Sequence, residues 1–181
     1  MLKTVLVLLY LLAIVMANVI TANNDPVLWG KLIIPAGSFL IGATFILRDL
    51  VQNTIGRKLT YGAIGAAMVL SAVSSYLLGD TLWIVAASTI TFLFSETADT
   101  EIYSRLRLPM SLRVLYSGLV GGMFDSVIFV VIGLSPIGAG FLPWDLVGYA
   151  IAGQIVVKVG MQCIGALIVQ LMPKPRVTAK A

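Results

Sequence analysis

An all-α membrane protein with six transmembrane helices is the fold class this sequence predicts, and three observations predict it. The first is composition. Of 181 residues, 59% are hydrophobic and only 11% charged, with a mean hydropathy of +1.02, whereas a soluble domain carries roughly a quarter charged residues. The second is a succession of six apolar runs, each close to the roughly 20 residues that a bilayer-spanning helix requires. The third is the placement of lysine and arginine, which alternates with those runs.

The runs lie at about 4–22, 33–53, 60–79, 82–104, 112–134 and 146–172, and form one domain over 1–181. A helix satisfies its own backbone groups, so each run can cross lipid without outside partners. Turn chemistry separates them. Asn23-Asn24-Asp25-Pro26 closes the first, Gly56-Arg57-Lys58 parts the second from the third, and Gly79-Asp80 the third from the fourth. Pro109 precedes the fifth run, and the stretch from Ser135-Pro136 to Pro143 precedes the sixth. The first run has a second reading: Lys3, an apolar core and Val15-Met16-Ala17 have the layout of a signal peptide. Polar Asn18 and the spans that follow suit a retained helix better.

Lysine and arginine set the orientation. Lys3, Arg48, Arg57, Lys58, Arg105, Arg107, Arg113, Lys174, Arg176 and Lys180 fall on one side of the predicted layout. Lys31 alone falls on the other, and Lys158 lies within the last span. Both termini are therefore expected in the cytoplasm, with the chain in the inner (plasma) membrane. The net charge of +4 then reports topology, and no nucleic-acid partner is expected. Trp29, Trp83 and Trp144 fall at the opposite interface, where indole rings favour the headgroup layer. Trp29 alternatively caps a binding site.

Several chemistries are excluded or disfavoured. The chain has no histidine and one cysteine, Cys163, so neither an internal disulfide nor a Cys/His zinc site can form. Cys163 is expected to be a buried, inert thiol. With no phosphate-binding loop, dinucleotide fingerprint or nucleophile elbow, no catalytic residue, cofactor or metal is expected, and the protein is read as a non-enzyme. Small residues at four-residue spacing, Ala13/Ala17, Gly62/Ala66, Gly118/Gly122 and Gly148/Ala152, permit close helix approach. The stripes are compatible both with packing inside one chain and with a homodimer seam.

Ionisable groups at membrane depth are costly and usually functional. Asp49, Glu96, Asp99, Asp125 and Lys158 lie inside the runs, joined by the amides Asn18, Gln52, Asn53, Gln154 and Gln162. Helical spacing groups them into stripes: Asp49, Gln52 and Asn53; Glu96, Asp99 and Tyr103; Gln154, Lys158 and Gln162. Lipid cannot solvate such stripes, so they are expected to face one another. At about 1.5 Å rise per residue, Asp125 and Lys158 reach similar height near the midplane and are natural ion-pair partners. Asn18 and Gln154 fall above them, and Asp49, Glu96 and Asp99 below. Blander readings stand beside these. The Asp125–Lys158 pair could simply lock two helices, and Glu96 and Asp99 could meet Arg48, Arg105 or Arg107 at the inner interface. Arg48 itself is expected to be a cytoplasmic anchor. The residues alone point to a polar small molecule; a planar heterocycle with an amide-like edge suits a carboxylate among carboxamides.

The residues also carry a resemblance. Ala17-Asn18, Phe45-Ile46-Leu47-Arg48-Asp49-Leu50, Glu96-Thr97-Ala98-Asp99-Thr100-Glu101-Ile102-Tyr103, Arg105-Leu106-Arg107, Phe124-Asp125-Ser126 and Lys158 resemble, in order and spacing, the VUT/YhhQ family of queuosine-precursor transporters. The likeness spans nearly the whole chain. It implies six helices similar to the substrate-binding components of ECF-type vitamin transporters. It also implies uptake of 7-deazaguanine bases for tRNA-modification salvage: 7-cyano-7-deazaguanine, 7-aminomethyl-7-deazaguanine or queuine. The positions matching its polar landmarks are Asn18, Asp49, Glu96, Asp99, Asp125 and Lys158; Gln154 and Gln162 join them from the stripe reading. The chain departs from the family pattern in its short loops and in Arg48 directly before Asp49. Secondary or facilitated transport is the leading expectation, and a substrate-capture subunit working with a separate ATP-driven partner is the alternative. A membrane enzyme or assembly factor built on Glu96 and Asp99 is a third, weaker class.

Overall fold

The computed structural model describes residues 2–171; Lys174, Arg176, Lys180 and the last residue of the sixth run lie outside the described residues. Six long helices follow the apolar runs: α1 (Leu2–Asn23), α2 (Ser38–Ile55), α3 (Arg57–Leu77), α4 (Leu82–Arg105), α5 (Met110–Ile128) and α6 (Trp144–Leu171). A π-helical segment, Phe129–Leu134, continues α5. Gly56 alone joins α2 to α3, at φ 83°, a left-handed conformation that glycine adopts without steric cost. Thr81 caps α4 by accepting the Ile84 N–H at 3.3 Å.

The helices close a ring in the order α1, α2, α6, α5, α4, α3, and α2 leans inward, touching every other helix. One end of the bundle carries Trp29, Trp83 and Trp144, all exposed; the other carries Lys3, Arg57, Lys58, Arg105 and Arg107. By length and composition α1, α3, α5 with its π-segment, and α6 are each apolar enough to cross a membrane. Together they make this a multi-pass all-α membrane protein. The helices that fall short of that mark, α2 and α4, carry the buried charges Arg48, Asp49, Glu96 and Asp99. They can do so because their neighbours shield them.

The chain between α1 and α2 departs from expectation. Residues 33–37 do not begin a helix. Val27–Trp29 and Leu32–Ile34 form an antiparallel hairpin, β1 and β2, turning at Gly30, and α2 starts only after Pro35. Proline disfavours helical geometry in the residue before it, and a better partner is at hand. A Cβ at Gly153 would lie 2.7 Å from the Ile33 carbonyl oxygen, so the hairpin backbone rests directly on α6 and buries Ile34.

Packing redistributes the small residues. Gly118 and Gly122 are true close approaches, facing Gln162 and Lys158, and Ala17 is buried. Gly62 and Gly148 meet nothing within 4 Å, so their stripes are not seams inside the bundle. The tight crossings that spacing did not single out are Gly37 against Ala17 and Thr21, Gly42 against Met161, and Gly165 against Ile46. Cys163, expected to be buried, is exposed on the outer face of α6, because the inward stripe of that helix runs through Gln154, Lys158 and Gln162 instead.

Candidate functional site

The interior polar residues fall into two tiers. The upper tier borders a cavity of about 390 Å³, within the usual size range of small-molecule sites. Pro26, Asp80, Phe141 and Leu142 stand among its lining, and all lie in the loops at the tryptophan end. Its deeper wall holds Asn18, Thr91, Asp125, Gln154 and Lys158. Lys158 Nζ donates to an Asp125 carboxylate oxygen, to Gln154 Oε1 at 2.9 Å and to Ser126 Oγ at 3.1 Å. Lys158 is 2% exposed and Asp125 15%, so the carboxylate reaches the cavity while the ammonium is held behind it. The pair is charge-balanced. Two polar atoms of the cavity lining are buried without a hydrogen-bond partner: the Gln154 Nε2 donor and the Thr91 hydroxyl. Such groups cost free energy unless something fills them. Asn18 is already engaged, its amide nitrogen donating to the Ser71 carbonyl at 3.0 Å and to Ser74 Oγ at 2.8 Å, which pins α1 to α3.

The lower tier lies toward the basic end, outside the lining of that cavity. At its centre is Arg48, with no exposed surface. Its guanidinium faces three carboxylates: Nη1 lies 3.1 Å from Asp49 Oδ1, Nε lies 3.2 Å from Glu96 Oε2, and Nη2 pairs with Asp99. Nη1 also donates to Gln52 Oε1 and Thr100 Oγ1, both at 3.2 Å. Ser117 Oγ donates to Asp49 Oδ2 at 3.3 Å. Gln162 Nε2 donates to the Gly42 carbonyl at 3.0 Å, tying α6 to α2. These contacts link α2, α4, α5 and α6 beneath the cavity and close the bundle there.

Of the predicted site residues, the structure gathers Asn18, Asp125, Gln154 and Lys158 around the cavity. It gathers Asp49, Glu96, Asp99 and Gln162 below it. Asp125 and Lys158 are paired. Asn53, placed on the Asp49 stripe by spacing, is exposed near the basic end of α2. The main correction concerns Arg48. It is no cytoplasmic anchor but the fully enclosed hub of the lower tier, because α2 is the helix that touches all the others. Its neighbour in sequence was the available signal: Arg-Asp in mid-run pairs with inward charge more readily than it reaches an interface. The hydroxyls of Ser71, Ser75, Ser88 and Thr91, which line the cavity, were also missed. Their spacings, Ser71/Ser75 on α3 and Ser88/Thr91 on α4, place each pair on one helix face, but hydroxyls are too common in membrane helices to stand out.

A multi-pass helical protein holding a small-molecule cavity with a charged floor above a closed polar layer has the architecture of a membrane transporter. Residues 75–172 match the family described as "Putative vitamin uptake transporter". That is more than half of the chain, and the chain belongs to this family of uptake transporters. No curated protein and no solved structure matches it at a significant level.

Proposed function

We propose that the protein imports a 7-deazaguanine base across the inner membrane by secondary or facilitated transport, crossing the bilayer six times with both termini in the cytoplasm. The observation that carries this reading is the cavity floor, where a charge-balanced Asp125–Lys158 pair stands beside the unfilled Gln154 donor. A guanine-like edge presents two parallel N–H donors and an exocyclic oxygen. A carboxylate accepts the former, and a carboxamide N–H or an ammonium donates to the latter. Asp125, Gln154 and Lys158 offer that set on one wall, with Thr91 able to satisfy a ring nitrogen. The apolar remainder, including Ile84, Phe92 and Phe129, would sandwich a flat bicyclic ring. On this reading the tryptophan end faces outward, consistent with the basic residues at the opposite end.

Binding tests this directly. Purified protein in detergent is melted with 7-cyano-7-deazaguanine, 7-aminomethyl-7-deazaguanine, queuine, guanine and a panel of vitamins. A ligand at a hundredfold excess over its Kd stabilises by about 2.7 kcal/mol. Stabilisation by the deazaguanines alone supports the reading. Stabilisation by a vitamin alone would replace the substrate and keep the site.

A further inference from the structure

We infer that the layer around Arg48 is a proton-binding site, loaded in this cavity-open conformation, and that its proton travels with the substrate.

The layer is fully buried, and its charges do not cancel. Around Arg48 stand Asp49 from α2 itself and Glu96 and Asp99 from α4. From α5, the Arg113 guanidinium lies over the Tyr103 ring at 3.9 Å and donates to the Tyr103 carbonyl at 3.0 Å, so it is engaged there and pairs with none of the three. The Tyr10 phenol approaches from α1 and the Tyr103 phenol from α4. Lys158 of α6 and Asp125 of α5 balance each other above. One guanidinium therefore faces three carboxylates, leaving negative charge in excess. An uncompensated carboxylate in a water-free interior is strongly disfavoured and is relieved by taking up a proton.

The atoms around the layer point the same way. Asp99 Oδ1 is buried with no partner at all, and its side chain lies against Gly121 of α5, which has no side chain to offer a donor. The Tyr10 and Tyr103 hydroxyls are both buried without a hydrogen-bond partner. A metal ion would need the space between the carboxylates that the Arg48 guanidinium fills, and among the described residues no carboxylate group is arranged to hold one. A proton needs only a lone pair, and Asp99 Oδ1 supplies it.

On opening toward the basic end, the Asp99 O–H bond breaks, its proton passes to entering water, and the carboxylate left behind is held by Arg48. The coupling step rests on the transport reading above; the resident proton does not.

Two measurements separate these. Infrared difference spectroscopy of the purified protein at neutral pH is expected to show the carbonyl stretch of a protonated, buried carboxyl, shifting in D2O and absent in Asp99→Asn. Absence of the band in wild type, or its survival in both Asp99→Asn and Glu96→Gln, overturns the proton site; the second variant covers misfolding of the first. In proteoliposomes with the membrane potential clamped, a gradient of one pH unit, acid outside, is expected to accumulate 7-cyano-7-deazaguanine about tenfold. Counterflow exchange that proceeds while the gradient gives no accumulation overturns the coupling. Failure of counterflow itself, with the infrared band present, instead removes the assigned substrate and leaves the proton site intact.

Discussion

The two polar tiers are built from the same residue types and do different work. Above, one lysine meets one aspartate in a cavity wall, charge is balanced, and two buried polar atoms of the lining stand without partners. Below, one fully buried arginine is enclosed by three carboxylates, outside the cavity. The difference lies less in the side chains than in the helices that carry them. Asp125 and Lys158 sit on ring helices beside the cavity, whereas Arg48 sits on α2, the helix that all others touch. Ion pairs at a cavity wall can exchange partners with a ligand. Ion pairs in a closed layer can only hold the layer shut or let it part.

That comparison can be broken most forcefully at Arg48. Replacing it with methionine keeps much of the volume but leaves three buried carboxylates without their cation, and removing one partner of such a network costs about 3–5 kcal/mol. Thermal melting in detergent should show the largest loss of any single substitution considered. Adding Glu96→Gln to Arg48→Met should recover part of it. A double variant no more stable than the single one would mean that lost packing, not orphaned charge, sets the cost.

Lys158→Met should act mainly on binding. Hydrogen bonds to charged groups contribute about 1.5–3 kcal/mol, so affinity for the transported base should fall roughly 10- to 100-fold by calorimetry. An equal effect on melting at Arg48 and Lys158 would erase the distinction between tiers. Gly121→Ala sharpens it from the other side. Its methyl group would come within 2.9 Å of Asp99 Cβ, and overpacking of this kind costs about 1–3 kcal/mol, with ligand affinity less affected than stability. Gln154→Leu removes the unfilled donor and should weaken binding by about tenfold or less, leaving the melting temperature near wild type. Trp29→Ala, exposed on the hairpin, should change stability by no more than about 0.5 kcal/mol. A larger drop in binding there would favour a capping role for the hairpin.

Much of this was legible from residues alone. The Asp125–Lys158 partnership followed from counting rise along two helices, since depth in a membrane bundle is nearly a function of position in the run. The segregation of Asn18 and Gln154 from Asp49, Glu96 and Asp99 followed the same way. Arg48 was misplaced because depth alone cannot say whether a long basic side chain turns outward to an interface or inward to a carboxylate. The hairpin was missed because Leu32-Ile33-Ile34 is equally apolar as helix or strand, and only Gly153 of α6, some 120 residues later in sequence, gives it a surface to rest on. Cys163 was misjudged because apolar surroundings in sequence do not distinguish a lipid face from a core.

What the sequence determined by itself is everything that depends on one helix at a time: six apolar runs, their breaks, the asymmetry of basic residues, and the charges that must turn away from lipid. Hydropathy and helical period are local properties, and the bilayer makes them decisive because it forbids unsatisfied backbone and unpaired charge. Only the tertiary structure decided which charges meet. That depends on α2 leaning in to touch every other helix, on the glycines that let α5 and α6 approach, and on the cavity that all six helices line. Pairing is set by distances between helices, and no single helix carries that information.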